Sequence, residues 1–332
     1  MKPLFYLRFI LIAVIAVGFV ACESDSTSPS QTPVNEAEVL LNYLESNGDY
    51  INTSAPSIVA AADVRTTMLT SPSSQYIIDM RSSADFVAGH IEGAKNVTMA
   101  GTLTHLKSLA NASGYTRIVI VCYSGQTAAY ATSLLRLSGF NNVYSMKWGM
   151  SSWDSTFAKT SWLTKIGNAK AAEFSTTAAS KAAAGSLPTI NTGKTTGAEI
   201  LEARVNELLA AGYSAATVDV NTLFTNLSNY YIVNYWPVAQ YNSPGHIPGS
   251  IQYEPKSDLK SSTNLKTLPT NKPVVFYCYT GQTSSFVAGF LKVLGYDGKT
   301  LLYGANAMIY DQMPASKFTA SEIKGYPYVT GQ

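Results

Sequence analysis

The chain carries little charge, little histidine and little cysteine, and each shortage closes off a class of function. Charged residues fill 13% of its 332 positions, with 23 Lys and Arg set against 21 Asp and Glu. No stretch gathers the cations into a dense cluster, which argues against nucleic acid as a partner. The three histidines, His90, His105 and His246, include no close-spaced pair, and the three cysteines form no Cys-x-x-Cys. Neither a metal centre nor a Cys-His-Asp hydrolase arrangement is legible in such a set. What the chain does have is a 46% share of hydrophobic residues and enough length for two separate cores.

The first residues read as a targeting segment. Lys2 and Arg8 flank a short positive region, and Phe9–Ala21 is an apolar run shorter than a comfortable membrane span. It ends in "FVAC", which resembles the lipobox of a bacterial lipoprotein. That resemblance implies a signal peptide over 1–21 and lipidation of Cys22. The polar stretch 22–35 would then be a flexible tether. The implied setting is an exported lipoprotein, anchored in a membrane and facing the periplasm or the cell surface. With Cys22 consumed by the anchor, Cys122 and Cys278 remain. Their like positions at the heads of two helices argue against a disulfide between them, although export would permit one.

Those two cysteines belong to a repeat. "VCYSGQTAAYATSLLRLSGF" from Val121 and "YCYTGQTSSFVAGFLKVLGY" from Tyr277 place their cysteines 156 positions apart, and His90 and His246 stand 156 apart as well. "YIIDMRSSADF" matches "YIVNYWPVAQY", and "AEVLLNYLE" resembles "AEILEARVNELLAAGY" as a helical opening. Agreement at several separated points means an internal duplication, with a period long enough for each copy to be a domain. The copies span 36–167 and 197–332. Between them, 168–196 is rich in Ala, Ser and Thr and reads as a linker, with a surface helix in its alanine-rich part.

Strand and helix signals alternate within each copy. "YIIDM", "GAKNVTM", "RIVIVC" and "NVYSM" are strand candidates, and "TAAYATSLLRLSGF" is a helix with Leu134, Leu135 and Leu137 on its buried side. The second copy repeats the order with "PVVFYC", "TSSFVAGFLKVLGY" and "TLLYG". The alternation predicts a mainly parallel α/β sheet flanked by helices. Each cysteine falls at a strand's C-terminal end, where such sheets bind ligands.

The ordered set Asp79-x-Arg81, Gly89-His90-Ile91-x-Gly93-Ala94 and Cys122 to Thr127 resembles a rhodanese (sulfurtransferase) domain. The resemblance covers roughly 37–165 and again 198–329. It implies two rhodanese-like domains that move sulfane sulfur through a cysteine persulfide. The donor would be thiosulfate or 3-mercaptopyruvate, the acceptor a thiol or cyanide-like molecule or a partner protein, and no cofactor would be needed. Cys122 and Cys278 are then the catalytic thiols. Tyr123, Ser124, Gly125, Gln126 and Thr127, with Tyr279, Thr280, Gly281, Gln282 and Thr283, form the substrate cradles.

A strand-to-helix turn of this kind aims backbone N–H groups and a helix N-terminus at the sulfur, which favours thiolate and lowers the thiol pKa. Thr127 and Thr283 could donate into the cradle or cap the helix. Tyr123 and Tyr279 either line the pocket mouths or pack over the loops. Asp79 and Arg81 brace the loop or, in the case of Arg81, meet an anionic substrate. Lys147 could approach the first site from outside the loop. His90 and His246 support their turns, with general-base work as the alternative. The loops contain no cation to clamp phosphate, which sets them apart from cysteine phosphatases. The second copy has Asn234 and Trp236 where the first has Asp79 and Arg81. A binding, sulfur-carrier or redox-sensing module that has lost turnover is the rival from another class.

Overall fold

The computed structural model describes Met1 and residues 35–331. The expected signal peptide, the lipidated Cys22 and nearly all of the tether lie outside the described residues. Among the described residues, no helix is long and apolar enough to cross a membrane.

Two sheets are built alike. The first contains β1 (Ile58–Val59), β2 (Gln75–Asp79), β3 (Lys95–Asn96), β4 (Arg117–Val121) and β5 (Val143–Met146), in the order β1-β5-β4-β2-β3. The second contains β6 (Thr217–Val218), β7 (Tyr231–Asn234), β8 (Ile251–Gln252), β9 (Val274–Tyr277) and β10 (Gly298–Leu301), in the order β6-β10-β9-β7-β8. Every pairing is parallel. The central strands β4 and β9 are buried on both faces, so their sequences run apolar without alternation.

The two faces of each central strand feed different cores. Val119 and Val121 pack with Met146 and Trp153 on one side of the first sheet. Ile118 and Ile120 turn to the other side, into a core that also takes Val274 and Phe276 of the second sheet. That shared core holds the helices Gln126–Leu137 and Gln282–Val293, which follow the two cysteines and pack on each other. Leu134 and Leu135 are buried as expected, while Leu137 is half-buried. Ser133 Oγ donates to the Phe286 carbonyl at 2.7 Å across this contact. A methyl group on Gly289 would stand 3.2 Å from Ser133, so the helices touch where their side chains are smallest. The opening helices Glu36–Ser46 and Gly197–Ala211 also pack on each other.

The stretch 168–196 differs from its expectation. It has a single 3-10 turn at Ala171–Glu173 and no helix in the alanine-rich part. Instead it lies along the second half. Ser175 exchanges two backbone hydrogen bonds with His246 (2.8 and 2.8 Å), and Leu187 and Ile190 are buried. Pairing and burial outweigh the weak helix preference of a short Ser/Thr-rich run. The C-terminal stretch makes the mirror-image contact, since His90 and Val329 exchange two backbone bonds of 2.9 Å each. Each half is therefore strapped by the segment that follows the other half.

Candidate active site

Cys122 follows β4 directly, and Gly125, with φ +81°, turns the chain into the helix Gln126–Leu137. The turn aims amides at the sulfur: Gly125 N–H donates to Cys122 Sγ at 3.1 Å and Ala128 N–H at 3.4 Å. The loop is buttressed from behind by the turn after β5. Met150 N–H donates to the Cys122 carbonyl (2.8 Å) and Ser151 N–H to the Tyr123 carbonyl (3.1 Å). The second loop copies this frame, with Ala305 N–H on the Cys278 carbonyl (3.0 Å) and Asn306 N–H on the Tyr279 carbonyl (3.1 Å).

Both thiols are buried, at 5% and 3% exposure, so nothing reaches them without some opening of the surroundings. Burial pushes the Cys122 thiol up, against the opposing pull of the Ala128, Ser124 and Gly125 amides. The expected depression of its pKa is thus reversed, because desolvation of a thiolate in a closed site exceeds what the amides return. Burial holds the Tyr213 hydroxyl in its neutral form, against the opposing pull of its 2.8 Å hydrogen bond with Ser285. A cleft of about 680 Å³ lies elsewhere, between Tyr43, Tyr50, Lys107, Arg136 and Glu202, and neither cysteine loop lines it.

Asp79 and Arg81 form a buried ion pair, Nη2 to Oδ2 at 2.7 Å, with both side chains 1% exposed. Arg81 Nη2 also donates to the Gly89 carbonyl at 2.6 Å, so the pair ties β2 to the His90 turn. Its guanidinium lies over the Tyr123 ring at 5.0 Å and the Phe157 ring at 5.2 Å, bracing the cysteine loop through aromatic contact. Tyr123 in turn donates to Asp85 Oδ1 at 2.8 Å. The second half builds the same scaffold without charge. Trp236 stacks on Tyr279 with 4.7 Å between ring centroids, and Asn234 Nδ2 donates to the Tyr277 hydroxyl at 2.8 Å. Around Cys278 hydroxyls join a backbone amide: Ser284 N–H donates to Sγ at 3.4 Å, and Ser284 Oγ lies 3.4 Å from Sγ and 2.6 Å from Thr300 Oγ1.

Other expected residues are placed differently. Gln126 and Gln282 do not line their own cradles with their side-chain oxygens. Gln126 Oε1 accepts from Tyr303 N–H (2.7 Å) and Gln282 Oε1 from Trp148 N–H (3.2 Å), each across to the opposite half. Neither loop helix has a side-chain cap from Thr127 or Thr283. The residue before the glycine comes nearest that task, with Thr280 Oγ1 accepting from Gln282 N–H at 3.1 Å. Lys147 pairs with Glu322 at 3.3 Å and lies over the Trp148 ring. The histidines serve their turns. His90 Nδ1 donates to the Phe86 carbonyl (2.8 Å), and His246 faces the Tyr241 and Thr177 carbonyls (2.9 and 3.0 Å).

Sequence reasoning placed "SMKWGMSSW" and its Trp148 as a wall of the first site but missed Trp162, which packs edge-on against Trp148. Trp162 Nε1 donates to the Ser124 carbonyl at 3.1 Å, and its ring meets Tyr303 of the other half at 4.8 Å. It also missed Gly149 and Gly304, although a signal was present: an aromatic-glycine pair, Trp148-Gly149 and Tyr303-Gly304, follows the strand after each loop helix.

Comparison with known proteins brings these features together. The rhodanese-like domain family matches residues 61–156 and 224–311. A thiosulfate sulfurtransferase (GlpE) of Shewanella oneidensis is 35% identical over 85 residues, covering 26% of this chain and 81% of the relative. A protein of the same name from Pseudomonas fluorescens is 35% identical over 81 residues, 24% of this chain and 72% of the relative. Among solved structures, the 3-mercaptopyruvate sulfurtransferase SseA of Escherichia coli is 15% identical. The match covers 74% of this chain and 98% of that one, with a TM-score of 0.25.

Proposed function

Because the chain belongs to the rhodanese-like sulfurtransferase family, we propose that it moves sulfane sulfur through a persulfide on Cys122. The observation that carries this reading is the pair of backbone N–H groups on Cys122 Sγ at the head of a twelve-residue helix. Amides so fixed stabilise an anionic sulfur without a cation in the loop. In the first half-reaction the Cys122 thiolate attacks the outer sulfur of thiosulfate. A new S–S bond forms, the old one breaks, and sulfite leaves with the bonding pair. In the second, cyanide or a thiolate takes the outer sulfur and the Cys122 thiolate returns. With 3-mercaptopyruvate as donor, the C–S bond breaks instead and pyruvate leaves as its enolate, to be protonated. Cys278 sits among neutral groups, lacking the Asp79–Arg81 pair, and we assign it the slower role.

The setting proposed from the sequence is a lipid anchor on Cys22, which places the enzyme on an exported face of a membrane, with a small thiol or a partner protein as acceptor. The test is to reduce the full-length protein and incubate it with thiosulfate or, separately, 3-mercaptopyruvate. Peptide masses then locate any added sulfur, with Cys122→Ser and Cys278→Ser as controls. A cyanide-labile sulfur on Cys122 is the expected result. A folded protein whose Cys122 stays unmodified with both donors would leave a rhodanese-shaped binding module.

A further inference from the structure

The two loop glutamines occupy matched positions, yet each accepts through its oxygen from the opposite half, while Gln126 Nε2 also donates to Ser124 Oγ of its own loop at 3.1 Å. Gln282 begins the helix behind Cys278, and its Oε1 accepts from Trp148 N–H at 3.2 Å. Trp148 has a positive φ of 64° and leads directly into the Gly149–Ser151 turn that holds the Cys122 and Tyr123 carbonyls. Gln126 begins the helix behind Cys122, and its Oε1 accepts from Tyr303 N–H at 2.7 Å. Tyr303, with φ 63°, leads into the turn that holds the Cys278 and Tyr279 carbonyls.

The glutamines are 1% exposed and cannot exchange these bonds for water. A Trp or Tyr held at positive φ needs such a fixed acceptor, because L side chains disfavour that region. The fit is close. A methyl group on Gly125 would come within 2.9 Å of Gln282 Cδ, and one on Gly281 would overlap Gln126 Oε1. Gln282 Nε2 is buried with no partner among the described residues, so its oxygen bond to Trp148 is what the side chain is held for.

We propose that Gln282 and Gln126 are crossed positioning residues: Gln282 sets the cradle of Cys122, and Gln126 sets that of Cys278. This rests on the reading of the two cysteine loops as sulfur-transfer sites, but the linkage between the halves can be tested apart from it. A cradle held by the other half's loop ties the reactivity of each cysteine to the integrity of both domains. It also gives the second half a task even where its own cysteine turns over slowly.

The experiment measures alkylation of Cys122 and Cys278 by iodoacetamide against pH in the full-length protein, reading both rates from the same digest. Gln282→Met keeps the volume and removes the acceptor. The expected result is a rise of about 0.7 pH unit in the midpoint for Cys122, the equivalent of one neutral hydrogen bond, with the Cys278 midpoint unchanged. Gln126→Met should move Cys278 in the same direction. A general loosening would speed both cysteines and leave the midpoints level, and that outcome overturns the proposal. So does a midpoint shift confined to the mutated loop's own cysteine. Loading with thiosulfate in parallel separates the two readings. A crossed alkylation pattern without sulfur uptake would defeat the sulfurtransferase assignment and leave the crossed positioning in place.

Discussion

Gly149→Ala puts the buttress of the first cysteine loop to its hardest test. Gly149 has φ +58° and ψ −150°, a region that is essentially glycine-only, and forcing alanine there costs about 1–3 kcal/mol. The added methyl group would also overlap the Cys122 carbonyl oxygen and sit 2.6 Å from Gly125 N and 2.7 Å from Tyr123 C. All three are backbone atoms of the loop, so no rotamer change relieves the contact. Overpacking of this kind adds about 1–3 kcal/mol, for a combined loss of roughly 2–6 kcal/mol in urea unfolding. Gly93→Ala is the matched control, because Gly93 has φ +80° with nothing within 4 Å of a new methyl group. It should lose only about 1–2 kcal/mol, from backbone conformation alone. In the variant that folds, the displaced loop should load sulfur on Cys122 at least about tenfold more slowly, since 1.4 kcal/mol of lost amide alignment is a factor of ten. Equal stability losses in the two variants, with Cys122 loading unchanged, would refute the idea that the Gly149 turn sets the loop.

Two further results follow from the same geometry. Asp79→Asn leaves the Arg81 guanidinium buried without its carboxylate and should cost about 3–5 kcal/mol in urea unfolding; a loss below about 1 kcal/mol would mean the pair is not holding β2 to the His90 turn. Because burial pushes the Cys122 thiol up, its thiolate fraction grows only at alkaline pH, and its alkylation rate should keep climbing past the ordinary thiol midpoint of about 8.5. A midpoint near neutrality in the unliganded protein would contradict the desolvated site.

Much of each half is legible in the sequence. The apolar runs at β4 and β9 announced buried parallel strands, and the Gly125 and Gly281 turns announced where the helices begin. The Asp79–Arg81 pair was legible through the Asp-x-Arg pattern of the family that the sequence resembles. The thiol pKa was misjudged for a physical reason. The sequence reports the local amides that favour thiolate, whereas desolvation comes from the folded surroundings that bury Cys122. The alanine-rich segment misled in the same way, since its helix preference is local and its partners, at His246 and Ile251, are not.

The crossed contacts were invisible for a deeper reason, one that the duplication itself supplies. In a repeat, a residue and its counterpart share the same local surroundings, so a bond from Gln126 to the Trp148 turn and one to the Tyr303 turn look alike in sequence. Only the packing of the two loop helices, close enough at Ser133 and Gly289 to place the loops side by side, selects the second. The same ambiguity covers the straps, where Ser175 pairs at His246 and Val329 pairs at His90. Once each half depends on the other for its buttress and its strap, the two need not carry the same chemistry to be retained together. The neutral Asn234–Trp236 scaffold can lose the charge that Asp79–Arg81 keeps, and Gln282 still serves Cys122. A tandem chain so interlocked is expected to fail as a unit, and a half expressed alone would keep its cysteine but lose the acceptor that fixes the turn behind it.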